Sequence, residues 1–129
     1  MFFLKKRKKS FCVSQYLNDQ LCSLEKLRYN WDGENGNPVK PILLVWTRKI
    51  FEELSTQIPE PNISVAKDGT LDFTWLWPNY IGLYCTLDID RLETTVVMNH
   101  KAITTDISLK NEIDPINIII SHLRKFTFE

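Results

Sequence analysis

Lys67-Asp68-Gly69-Thr70-Leu71-Asp72-Phe73-Thr74-Trp75-Leu76-Trp77 is where the chain changes its period. Asp-Gly marks a tight turn, because glycine takes positive φ without steric cost. Leu71, Phe73, Trp75 and Trp77 then alternate with Asp72, Thr74 and Leu76, so the large apolar side chains fall on one face of an extended strand. Ile63 and Val65, ahead of the turn, supply a partner strand. Alternation resumes through Ile81, Leu83, Cys85, Leu87 and Ile89, and again through Leu92, Thr94, Val96 and Met98. A turn at Asn99-His100-Lys101 leads to Ile103, Thr105, Ile107 and Leu109. Five short strands with tight connections predict an antiparallel meander.

The two faces of that sheet separate by chemistry. Leu71, Phe73, Trp75, Leu83, Cys85, Leu87, Val96, Met98, Ile103 and Ile107 make the face expected to be buried. Asp72, Thr74, Tyr84, Thr86, Glu93, Thr95, Thr104, Asp106 and Ser108 make the other. Threonine, tyrosine and acids suit a solvated sheet surface or a protein-binding one, with Tyr84 and the acids as contacts. An acidic face is a poor platform for stacking nucleic-acid bases.

Towards the N-terminus the apolar spacing becomes three and four. Val13, Tyr16, Leu17, Leu21, Leu24, Leu27 and Trp31 form one stripe, predicting a helix from Ser10, as N-cap, to about Tyr29. A second helix runs through Leu43, Trp46, Ile50, Phe51 and Leu54 and stops before Pro59 and Pro61; Asn37 and Pro38 are expected to launch it. Asp114-Pro115 repeats the cap-plus-proline signal ahead of Ile116, Ile119, Ile120, Leu123 and Phe126. The predicted fold is therefore α+β, in the order α-α-β-β-β-β-β-α, with the helices on one face of the sheet. Residues 11–129 read as a single domain behind a basic N-terminal tail, residues 1–10.

The formal net charge of zero hides that tail. Lys5, Lys6, Arg7, Lys8 and Lys9 supply five of the sixteen basic residues, leaving eleven against sixteen acids in the rest, a net of minus five. Any electrostatic footprint for nucleic acid belongs in the tail. Three cysteines, Cys12, Cys22 and Cys85, leave one unpaired in any scheme. Cys12 and Cys22 would lie about 15 Å apart along one helix, too far to bridge. A reduced, cytoplasmic setting is the natural expectation. Met1-Phe2-Phe3-Leu4 precedes its charges instead of following them, unlike a secretory signal, and no apolar run approaches the ~18 residues of a membrane span.

Between the first two helices lies Asn30-Trp31-Asp32-Gly33-Glu34-Asn35-Gly36-Asn37-Pro38, with two of the four glycines. Its acids and amides resemble a calcium loop at first sight, but the glycine is misplaced and loop position twelve is Leu43, not a bidentate acid. The stretch reads better as a structural joint. Trp31 is expected to anchor it in the core, Asp32 to fold it through an Asx-type turn, and Gly33 and Gly36 to take positive φ ahead of Pro38. His100 and His122 have no cysteine or acid at zinc-ligand spacing. Asp88, Asp90 and Glu93 cluster at a hairpin end, where aspartate is common for turn reasons alone. No phosphate-binding glycine loop and no nucleophile elbow occur. The expectation is a protein without catalytic, metal or cofactor site.

Asn30-Trp31-Asp32-Gly33-x-x-Gly36-x-Pro38, followed by Asp68-Gly69-Thr70-Leu71-Asp72-Phe73-Thr74-Trp75, resembles a group of small bacterial proteins. Those carry an N-W-D-G-x-G-A-x-P motif and, some thirty residues on, a D-G strand ending in tryptophan. The likeness covers about residues 24–77; it departs by one extra residue between the glycines and by Asn37 where alanine is usual. It implies a fold and a setting, that of companions in mobile-element, toxin–antitoxin or phage-defence systems, without implying a chemistry.

The function expected on these grounds is a non-enzymatic protein-binding accessory module, an inhibitor, antitoxin-like or defence-complex subunit that docks on a larger partner. Lys5, Lys6, Arg7, Lys8, Lys9 and Tyr84 are its candidate contacts. Two alternatives stand beside it: a nucleic-acid-associated protein using the basic tail, and a small metal-dependent hydrolase using Asp88, Asp90 and Glu93.

Overall fold

The computed structural model describes residues 15–54, 58–110 and 113–126. Ser10, Val13, Cys12 and the basic tail Lys5–Lys9 lie outside them. Helix α1 spans Gln15–Glu25 and α2 Pro41–Glu52; strands β1 Asn62–Val65, β2 Leu71–Trp77, β3 Ile81–Leu87, β4 Arg91–Met98 and β5 Lys101–Ser108 follow; α3, Pro115–Lys125, closes the order. The strands form one antiparallel sheet in the order β1-β2-β3-β4-β5, the expected meander.

Three turns show why the register is fixed. In the β1–β2 hairpin, Ala66 N donates to Thr70 O and Gly69 N to Ala66 O, with Gly69 at φ 88°, a three-residue loop closed by a left-handed glycine. Asn99 and His100, at φ 56° and 65°, form the two-residue β4–β5 turn between the paired Met98 and Lys101. At the β3–β4 turn Asp88 N donates to Arg91 O, and the Asp88 carboxylate accepts from Ile89 N. A slip of one residue would move every apolar side chain to the wrong face.

The helices lie on the face that carries Phe73, Trp75, Leu83, Cys85 and Leu87. Leu17, Leu21 and Leu24 of α1, Leu43, Ile50 and Phe51 of α2, and Ile119, Ile120 and Leu123 of α3 meet those strand residues in one core. The α3 helix packs over β3, and the Phe126 ring closes on Trp77 at 5.1 Å between centroids. Asp114 caps α3 as expected, its carboxylate accepting from Ile116 N, with Pro115 at the first turn.

Three expectations are corrected. The first helix ends at Glu25, not near Tyr29. The chain tightens there through Lys26 N to Ser23 O and Leu27 N to Leu24 O, and the Arg28 guanidinium donates to Glu25 O. Trp31 is therefore not on that helix, and it is half-buried instead of anchoring in the core. The second helix starts at Pro41, not at Asn37-Pro38. Asn37 is already engaged, its N–H donating to Lys67 O and its carbonyl accepting from the Trp31 indole. Val39 then fills the core, and Pro41 takes the first-turn position that Pro38 was expected to hold. Finally, the buried face fades across the sheet. Met98 and Ile103 are exposed and Val96 is half-buried, because α3 lies over β3 and the helix layer stops short of β5. Thr94 and, on α2, Thr47 are buried in their place, Thr47 donating its hydroxyl to Leu43 O.

Candidate interaction surface

Two arrangements hold the residues singled out by sequence. The first is the joint between α1 and α2. Asn30 and Asn35 take φ 68° and 67° and Gly33 φ 76°, whereas Gly36, expected to share the left-handed region, does not; the positive-φ positions fall on the asparagines instead. The Asp32 carboxylate accepts from Glu34 N at 2.9 Å and Gly36 N at 2.8 Å, while Asn30 Oδ1 accepts from Asn35 N. Asn30 N donates to Gly36 O, closing the loop on itself. The Glu34 amide, helped by that of Gly36, holds the Asp32 carboxyl below the usual range. Trp31 Nε1 donates to Asn37 O at 2.7 Å. A Cβ on Gly36 would come within 2.8 Å of that indole nitrogen and 2.7 Å of Asp32 Oδ1, so only glycine fits.

This joint docks on the β1–β2 hairpin. Asn37 N reaches Lys67 O at 2.8 Å, and Gly69 lies so close beneath Pro38 that a Cβ there would meet its carbonyl oxygen at 2.5 Å. Asp68 accepts from the Thr70 hydroxyl at 2.8 Å and the Thr70 amide at 3.1 Å, and these bonds, the hydroxyl's first, lower its pKa. The Asn30–Pro38 stretch and the Asp68-Gly69 turn are thus one interlocked contact. Asp32 directs its carboxylate at the backbone of its own loop, and Asp68 at the hydroxyl and amide of Thr70.

The second arrangement is the helix-free face of the sheet. Register places Asn62, Thr74, Tyr84, Thr95 and Thr104 in one row across all five strands. The next row is Ser64, Asp72, Thr86, Glu93 and Asp106. On the other side of Tyr84 run Leu76, Gly82, Val97 and Ala102. Tyr84 leans over Gly82: a Cβ there would touch the Tyr84 ring at 3.0 Å and Leu76 at 3.3 Å. The missing side chain is what lets the ring lie down, with 41% of Tyr84 still exposed and Leu76 beside it 54% exposed.

The acidic row is internally compensated. Thr86 Oγ1 donates to Asp72 at 2.7 Å, and Arg91 reaches Asp106 at 2.9 Å and Glu93 at 3.9 Å. Such exposed pairs add little stability but fix the orientation of their carboxylates. The proposed hydrolase triad does not converge. Asp88 pairs with Lys40 at 2.7 Å, tying the start of α2 to the β3–β4 turn, while Glu93 belongs to the helix-free face. Among the described residues no three His, Cys, Asp or Glu side chains are grouped so as to hold a metal ion. The His100 ring lies tilted against that of Tyr80, 6.4 Å between centroids, and no described helix is long and apolar enough to cross a membrane.

Sequence reasoning placed Tyr84 on the open face but missed the Gly82 seat, the Arg91 clamp and the Lys40–Asp88 tie. The Arg91 clamp and the Lys40–Asp88 tie depend on residues brought together across strands or elements, whereas Gly82 and Tyr84 are two residues apart on β3 and that spacing could have been read. No protein-family model, curated protein or solved structure matches the chain.

Proposed function

We propose that this protein is a non-enzymatic accessory module that docks on a larger protein through the helix-free face of its sheet. The observation that carries the reading is the Tyr84 platform. An exposed aromatic ring lies beside exposed Leu76 and half-buried Val97, bordered by a threonine row and by carboxylates held in place. An aromatic and aliphatic centre within a polar rim is the composition of a protein-binding patch. The net minus five of the chain beyond its tail favours a partner with a basic surface. The basic run Lys5–Lys9 supplies a second contact of opposite sign. An inhibitor, antitoxin-like or phage-defence subunit is the setting that the N-W-D-G resemblance favours, and the unpaired cysteine count favours a reduced, cytoplasmic one.

The test begins with a protein captured on the tagged chain in its native host, identified and then repurified. Its binding is measured to the wild type, to a Tyr84→Ser/Leu76→Ser variant and to a chain lacking residues 1–10. The expected result is a loss of at least about tenfold in affinity for the double variant, as for an aromatic hot spot, with the melting temperature nearly kept. Wild-type binding by that variant would overturn the proposal. Binding to duplex DNA that falls steeply with salt and vanishes without residues 1–10 would support the nucleic-acid reading instead.

A further inference from the structure

Among the described residues, strand β5 ends the sheet and pairs with β4 alone. The opposite edge, β1, is four residues long and follows Pro59 and Pro61, which are ordinary ways of blunting an edge. Strand β5 has none of these. Its eight residues keep an unbroken register from Met98↔Lys101 to Arg91↔Ser108, contain no proline, and leave Ile103 67% exposed. Its one acid, Asp106, is neutralised by Arg91.

The backbone groups on that edge can be assigned. A two-residue turn with both central residues at positive φ makes its flanking residues, Met98 and Lys101, a hydrogen-bonded pair. By alternation Ile103, Thr105 and Ile107 also bond to β4. Ala102, Thr104, Asp106 and Ser108 therefore direct their N–H and C=O groups outward.

We infer that β5 pairs with β5 of a second copy of this chain, antiparallel about a two-fold axis at Thr105, to make one continuous ten-stranded sheet. The side chains select this register. Centred on Thr105, Ile103 faces Ile107 of the second copy on the helix side. Thr104 faces Asp106 on the other, repeating the Thr86–Asp72 hydrogen bond already present between β3 and β2. Ala102 faces Ser108, and no like charges are opposed. Centring on Asp106 would set that carboxylate against its own copy, and centring on Thr104 would set Lys101 against Ile107. The outward-directed groups of Ala102, Thr104, Asp106 and Ser108 form the bonded pairs, about eight hydrogen bonds in all. Eight residues at about 3.4 Å rise give an edge of about 27 Å. That is small for an interface, so the dimer is expected to dissociate in the micromolar range.

Sedimentation of the native chain from low micromolar to submillimolar concentration should show monomer giving way to dimer. Thr104→Pro removes an outward N–H that β4 does not use, so the fold is expected to survive while dimerisation weakens by more than about tenfold. In a Cys12→Ser/Cys22→Ser background, Thr105→Cys should cross-link on oxidation. Residues facing across a non-hydrogen-bonded pair have Cα atoms about 4.5 Å apart, within disulfide reach. Ile103→Cys alone should not cross-link. A native chain that stays monomeric, a Thr104→Pro chain that folds and dimerises like wild type, or cross-linking at Ile103→Cys in preference to Thr105→Cys would each overturn the inference.

Discussion

Gly69 and Gly33 both take a left-handed backbone, at φ 88° and 76°, yet a methyl group would meet different surroundings at each. Around Gly33 nothing lies within 4 Å, so Gly33→Ala carries only the conformational penalty, about 1–2 kcal/mol. Gly69→Ala adds a collision with the Pro38 carbonyl at 2.5 Å, which is backbone and cannot swing aside. It should cost clearly more than Gly33→Ala in urea denaturation, and equal costs would mean that the hairpin does not seat beneath Pro38. The Asp-Gly turn was legible in the sequence because its requirement is local. The contact with Pro38, some thirty residues away, was not. Trp31 illustrates the same limit: its apolar ring fitted the helical stripe, but its indole N–H is committed to Asn37 O, and that bond places the ring on the loop.

Among the elements, the strands were more legible than the starts and ends of the helices. Alternation over five strands fixed both the meander and its faces, because each strand repeats the same period. Helix α2 was misplaced at its start because Asn37-Pro38 carries the cap-plus-proline signal, whereas the helix begins at Pro41 behind Lys40, which makes no side-chain cap; the tertiary bonding of Asn37 decides between the two prolines. Met98 and Ile103 were assigned to the core by pattern alone, since alternation cannot tell how far a helix layer extends. The joint and hairpin also have a shared response to acid. Asp32 and Asp68 are both held below their ordinary value of 3.8, so folding favours their charged forms. The resulting stability is fully present above that value and is lost as pH falls through the lower folded-state values. Comparing denaturation near neutral pH with that below about pH 3, the wild type should lose more stability than an Asp32→Asn/Asp68→Asn variant. An identical loss in both would remove these two carboxylates from the acid response.

The helix layer, the sheet and the core together make Cys85 a reporter on the whole molecule. It sits on the central strand, between Phe73 and Thr94 in register and 2% exposed, and burial pushes its thiol pKa up to about 12. At pH 8 the folded-state thiol is therefore held protonated, and the thiolate is the reactive form. Cys22, by contrast, lies exposed on α1. In a Cys12→Ser background, an alkylating reagent should therefore modify Cys22 quickly and Cys85 only through opening of the core. Because α3 covers β3 and β3 is paired on both sides, little short of global unfolding exposes that thiol. Its modification rate should rise with urea in step with the unfolding equilibrium measured by tryptophan fluorescence. If Cys85 instead reacted at a rate independent of urea, the helix layer would be opening locally. The core would then not be the single cooperative unit that its shared contacts across α1, α2, α3 and the sheet describe.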